Sequence, residues 1–252
     1  MSGAEVLLAA DEPAPFRVEN PNGGSPILFT ADHAGRLIPR GLNNLGLSEP
    51  DLSRHIAWDI GIGATTARLA KLLDAPAVFQ TYSRLVIDCN RNPEVADAFP
   101  LISEATSIPG NQHLSASQKL QRRVAIFDPY HACIAALKAE KIYVAMHSFT
   151  PVYLGERRPM QVAVLYNRNP RLSVIMAELL RAEGDLAVGV NEPYQVSDTT
   201  DYGVPVHAER AGLDYLEIEI RQDLIADADG QAAWAERLGR LMPLAVKTLN
   251  AG

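Results

Sequence analysis

The sequence predicts an α/β fold: a single domain over residues 1–252, with a mixed, mostly parallel sheet flanked by helices. Three observations carry this. Short apolar runs bounded by turn residues alternate with segments of helical spacing along the whole chain. The first run, ILFTA at 27–31, is continuously apolar, as in a strand buried on both faces. No internal repeat or linker interrupts the alternation, and 252 residues with 47% apolar and 21% charged composition suffice for a full core.

Taken in order, residues 1–25 read as an irregular N-terminal segment ending in NPNGGSP, and 27–31 as the first strand. SEPD at 48–51 combines a hydroxyl, an early proline and an acid, a helix start. Leu52, Ile56, Ile60, Leu69 and Leu72 continue that helix at the right spacing. Strands follow at 77–79 and 84–87. Ser115 and Gln118 form a capping-box pattern opening a helix through Leu137, with a kink expected at Pro129. Strands at 142–146 and 162–166 precede a helix that starts at Asn169 and Pro170 and stops at Gly184. A strand at 216–220 and a helix marked by Trp234, Leu238 and Leu241 complete the chain.

Thirty acidic against 23 basic residues give a net charge of −7, and no basic stripe offers a footprint for a phosphate backbone, so no nucleic-acid partner is expected. Two cysteines, Cys89 and Cys133, are too few for a disulfide scaffold and suit a reducing interior. The VLLAA stretch near the start lacks a basic flank, and no run approaches the roughly 18 to 20 apolar residues of a membrane span. A cytoplasmic location with no membrane partner is the expectation. The choice between monomer and homo-oligomer stays open.

In parallel sheets, ligands bind beyond the carboxyl ends of strands. His33 follows the first strand, and His147 follows the strand at 142–146. A single histidine there is more often a half-buried structural group. Two, with acids nearby, favour a metal, since neutral imidazole is the commonest zinc ligand and a catalytic zinc needs three protein ligands. For the third, Asp59 lies four residues after His55, so on a helix both face one way. Two histidines with one carboxylate is a familiar hydrolytic zinc set, which favours Asp59 and leaves His55 a surface or supporting role.

Residues 83–91 carry Arg84, Asn90 and Arg91, groups suited to capturing a carboxylate, with surface ion pairs as the competing reading. Glu217 and Glu219 share one face of their strand. Each needs a polar neighbour, and one beside a metal suits a general base. Asp201, Tyr202, His207 and Glu209 are weaker candidates in a polar loop.

Together, ADHAG at 31–35, SRLVIDCNRNP at 83–93, AMHSFTP at 145–151 and LEIEIRQDL at 216–224 resemble the N-formylglutamate amidohydrolase family. The resemblance implies a zinc-carboxypeptidase-like fold, related to the aspartoacylases, with one zinc per chain on His33 and His147. It departs from the wider superfamily at Arg36, where a glutamate ligand three residues after the histidine would stand; Asp59 is therefore inferred from the residues alone. By the same resemblance Glu219 activates water, Asn90 and Arg91 hold a substrate carboxylate, and an arginine, Arg84, steadies the developing oxyanion or joins the clamp. The implied activity is hydrolysis of an N-acyl amino acid, N-formyl-L-glutamate first. Two alternatives stand beside it. One is a zinc carboxypeptidase-like or peptidoglycan-type amidase, which the lack of a wall-binding repeat or export signal disfavours. The other is a non-catalytic small-carboxylate binder, suggested by Arg36 and disfavoured by the presence of His147 and Glu219.

Overall fold

The first element departs from expectation: within the predicted irregular segment, Phe16–Glu19 forms strand β1, in a computed structural model that describes residues 7–251. Next come β2 (Ile27–Ala31), a short helix α1 (Glu49–Leu52), α2 (Ile62–Leu72) and β3 (Ala77–Gln80). A small hairpin, β4 (Ile102–Ser103) and β5 (Thr106–Ser107), precedes α3 (Ala116–Arg122) and α4 (Asp128–Leu137). The capping box of Ser115 and Gln118 is present as predicted. Between α3 and α4 one π-helical turn, Arg123–Phe127, takes up the irregularity that Pro129 imposes.

β6 (Ile142–Phe149) runs three residues past its predicted end, so His147 and Ser148 lie within the strand. A second hairpin, β7 (Val152–Tyr153) and β8 (Glu156–Arg157), leads to β9 (Val162–Leu165), α5 (Arg171–Ala182) and β10 (Val188–Val190). β11 (Tyr215–Arg221) and α6 (Ala228–Ala251) end the described chain. β1 and β10 are the main-sheet strands that the hydrophobic pattern alone does not reveal.

Seven strands form one sheet in the order β1-β3-β2-β6-β11-β9-β10. Only the pairs β1 with β3 and β9 with β11 are antiparallel, so the sheet is mixed and mostly parallel, as predicted. On one face Phe29, Met146 and Ile218 pack against α2, α5 and α6 through Leu69, Met176 and Leu238. On the other, Leu28, Val78 and Tyr215 pack against Tyr130 and Ile134 of α4 and against buried loops. Both faces are therefore dry, which is why the central strands are nearly all apolar.

Two expected elements are absent. The helix predicted from 48 to 72 is broken between α1 and α2, so His55 and Asp59 sit in turns and helical spacing does not relate them. Gly61 causes part of this break: its φ is +81°, and a Cβ there would lie 1.9 Å from the Ile225 carbonyl oxygen. The strand predicted at 84–87 is a pair of turns. Leu85, Val86 and Ile87 are buried there without a ladder, because side chains from elsewhere take their carbonyls: Asn111 Nδ2 donates to Leu85 O and Arg122 Nη1 to Val86 O, both at 2.9 Å.

No helix among the described residues is long and apolar enough to cross a membrane.

Candidate metal centre

The three parallel strands β2, β6 and β11 carry the chemistry to one place. β2 ends at Ala31, setting Asp32 and His33 just beyond the sheet, and in the β6–β11 ladder Glu219 pairs with His147. His33, Asp59 and His147 are all buried, and one ligand atom of each lies within 4.8 Å of the others. Asp59 reaches this group through backbone pins. Its N–H donates to His33 O at 2.9 Å, and Ser148 N donates to its Oδ2 at 3.1 Å.

Each histidine turns one nitrogen to Asp59 and the other to a second acid. His33 Nδ1 lies 3.6 Å from Asp59 Oδ2, while its Nε2 is 2.7 Å from Asp88 Oδ1. His147 Nδ1 lies 3.1 Å from the same Asp59 oxygen, and its Nε2 is 3.9 Å from Asp32 Oδ2. The Tyr130 hydroxyl donates to the other oxygen of Asp32. A carboxylate hydrogen-bonded behind an imidazole, as Asp88 is behind His33, fixes its tautomer and orientation, whereas Asp32 Oδ2 and His147 Nε2 are left without a hydrogen-bond partner. The donor set fits a metal ion: His33 Nδ1 is buried without a hydrogen-bond partner and faces the Asp59 carboxylate oxygen that His147 Nδ1 also approaches. Arg36 turns outward to Ser53 and Glu49, and the carboxylate that lies among the two histidines is that of Asp59.

Charge within the site is heavily coupled. Burial disfavours ionisation of Asp59 and Asp88. His33 and His147 nevertheless hold Asp59 far below the usual carboxylate range, and Arg84 with His33 does the same for Asp88. Arg84 donates from Nε and Nη2 to Asp88 Oδ2 at 3.1 and 2.7 Å, and its Nη1 lies 3.5 Å from Asp59 Oδ1. It thus holds the two acids of the centre together. Burial pushes Glu219 up to about 7, and its Oε2 has no hydrogen-bond partner. Glu217, one pleat deeper, is raised well above the usual range by burial.

A cavity of about 270 Å³ covers this group, lined by His33, Asp59, Arg84, Asn90, Arg91, His147 and Glu219, and also by Glu217. They differ in how free they are. Asn90 Oδ1 accepts from the backbone N–H groups of Tyr202 and Gly203 at 3.0 and 2.9 Å, and Nδ2 donates to Asp201 at 3.1 Å, so its amide anchors the 201–203 turn. Arg91 donates its backbone N–H to Asp88 O at 3.2 Å, while its guanidinium makes no hydrogen bond or ion pair among the described residues and lines the cavity, open to an anion. Of the weaker candidates only Asp201 lines this cavity. His207 is paired instead with His131, Nε2 to Nδ1, at 2.8 Å. His55 lies outside the group, 3.7 Å from Glu104.

Sequence reading missed Asp88, hydrogen-bonded behind His33, and Asp32, which faces His147 across 3.9 Å without a hydrogen bond. Asp32 is adjacent to His33 in the chain, yet it backs His147; Asp88 stands inside the same segment as Arg84 and Asn90. Their proximity in sequence was visible, but not which imidazole each would face.

A mixed α/β sheet with a buried His-Asp-His group at its carboxyl edge, beside a glutamate of raised pKa, defines a protein equipped for hydrolysis. The sequence profile of N-formylglutamate amidohydrolases matches residues 25–226. The chain belongs to the N-formylglutamate amidohydrolase family. A gene product of Agrobacterium tumefaciens of known crystal structure is 37% identical, with 97% of this chain and 99% of that one covered and a TM-score of 0.92. The fold is shared with N-formylglutamate amidohydrolase from Ralstonia eutropha at 18% identity, covering 95% of this chain and 100% of that one, TM-score 0.68. A bacteriophage poly-γ-glutamate hydrolase shares it more distantly, at 12% identity over 93% of this chain and 91% of that one, TM-score 0.50. No curated protein matches the sequence.

Proposed function

We propose that the protein hydrolyses the N-acyl amide bond of an N-acyl amino acid in a metal-dependent reaction, with N-formyl-L-glutamate giving L-glutamate and formate. The observation that carries this reading is the convergence of His33, Asp59 and His147 within reach of Glu219. Zinc, one per chain, held by those three donors supplies Lewis acidity toward an acyl carbonyl and makes water more acidic.

The chain's own groups do the rest. Arg91, its guanidinium unpaired, binds the substrate carboxylate, with Asn90 holding the 201–203 segment beside it. Glu219 Oε2 takes a proton from water as its oxygen adds to the acyl carbon, then passes that proton to the departing amine nitrogen. A carboxyl group poised at about 7 is suited to both transfers near neutral pH. Arg84, held by Asp88, keeps N–H groups on Nη1 to meet the negative charge that grows on the carbonyl oxygen.

Elemental analysis of the purified protein, paired with formate release from N-formyl-L-glutamate before and after chelation, tests this. About one zinc per chain, with release lost on chelation and restored by zinc, is expected. Formate release indifferent to chelation would overturn the metal-dependent reading.

A further inference from the structure

A second cavity, about 560 Å³, adjoins the metal chamber and reaches well beyond the three donors. Both cavities are lined by Asp59, Arg84, Arg91, Ser148 and Tyr194, so they form one continuous cleft. The outer part lies between the two small hairpins, with Leu101, Ile102 and Glu104 on the β4–β5 side and Phe149 and Tyr153 on the β7–β8 side.

Both walls are held in place. Arg54 donates to Thr106 Oγ1 at 2.8 Å and to Glu104 Oε2 at 2.5 Å. The Arg158 guanidinium lies 4.9 Å from the ring centres of both Tyr153 and Tyr194 and donates to the Tyr194 hydroxyl at 2.9 Å. Yet the wall side chains are wet: Leu101 is 49%, Ile102 65% and Tyr153 37% exposed. Large apolar groups left open along the mouth of a cleft mark a surface that a ligand covers.

Resting on the hydrolase reading above, we infer that this outer chamber binds an apolar, branched or aromatic group of an N-acyl amino acid, and that the preferred substrate is larger than N-formyl-L-glutamate. The inner chamber is roughly the size a compact formyl amino acid needs, whereas the combined cleft reaches the range of pockets that enclose larger ligands. Arg91 stands at the junction, where it holds the carboxylate while the apolar group extends outward between Ile102 and Tyr153. The group arrives on the acyl side or as the amino-acid side chain.

The test compares N-formyl-L-glutamate, N-benzoyl-L-glutamate and N-formyl-L-phenylalanine. Calorimetry measures their binding to zinc-loaded Glu219→Gln protein, and turnover is measured on the zinc-loaded native enzyme. At least one aromatic compound binds about ten-fold more tightly than N-formyl-L-glutamate, and which one does so identifies the side of the amide that fills the chamber. Ile102→Asp with Tyr153→Ser, both at exposed positions, removes most of that advantage. Binding of neither aromatic compound above N-formyl-L-glutamate, or an advantage untouched by the wall substitutions, would overturn the inference even if formate is released. Tighter aromatic binding without turnover of any compound would instead uphold the chamber and sink the hydrolase reading.

Discussion

At the residue scale the candidate metal group depends on an acid that stands behind a donor and is not itself one of the three. Asp88 orients His33 through Nε2 and at the same time fixes Arg84. Replacing it by Asn removes the charge that holds both. Asp88→Asn is expected to weaken zinc binding by about 10- to 100-fold, measured by competition with a chromogenic chelator, while an unchanged affinity would show that Asp88 serves only to neutralise Arg84. Arg91 is the opposite case. With no side-chain hydrogen bond or ion pair to strand, Arg91→Gln should fold normally and raise KM for N-formyl-L-glutamate about ten-fold or more with a smaller change in kcat. An unaltered KM removes it from the carboxylate clamp. His33 and His147 were legible in the sequence at the ends of apolar runs, whereas strand alternation offered Glu217 and Glu219 alike and the family resemblance singled out Glu219. Asp59 was reached through a helical spacing that does not exist. What brings it to the histidines is a hydrogen bond to His33 O and another from Ser148 N, neither of which a residue pattern encodes.

At the scale of elements, the break between α1 and α2 is what delivers Asp59. Gly61 permits the left-handed turn at the start of α2 and the close pass of Ile225. Gly61→Ala meets both obstacles, positive φ and a carbonyl oxygen at 1.9 Å. It should cost more than about 1 kcal/mol in urea unfolding and weaken zinc binding as well, because the 53–61 turns carry Asp59. A loss of stability with full zinc affinity would show that the turn and the ligand are uncoupled. The segment 84–87 teaches a related lesson. A run of apolar residues reads as a strand, yet with Asn111 and Arg122 accepting the task of satisfying its carbonyls it stays buried as turns.

At the scale of the whole molecule, the His131–His207 pair links α4 to the segment that follows the Asn90-anchored turn. Burial keeps both neutral, lowering His131 to about 3 and His207 to about 4. The unfolded chain binds protons on these residues below about 6.5, and the folded chain does not. Their contribution is therefore complete above about 6.5 and is lost as pH falls from there toward 4, roughly 3 kcal/mol for His207 alone. Urea unfolding should show stability declining over that window, with a flatter decline in His207→Asn; an identical slope in the variant places the acid sensitivity elsewhere. Zinc removal should lower Tm in a concentration-dependent way, since an ion that binds only the folded state stabilises it by mass action.

The sequence by itself determined the class of fold and most of the side chains that line the candidate centre. Hydrophobic period and turn residues report whether a segment is buried on one face or two, and the residues at the ends of buried strands are the ones a parallel sheet gathers. Tertiary structure alone decided the edge strand β1, the broken helix before Asp59, the pairing of each histidine with its backing acid, and the outer chamber between two hairpins. Each of those depends on contacts between segments distant in the chain, such as Gly61 against Ile225 or Asp32 beneath His147, and local pattern carries no record of which distant group a backbone or an imidazole will meet.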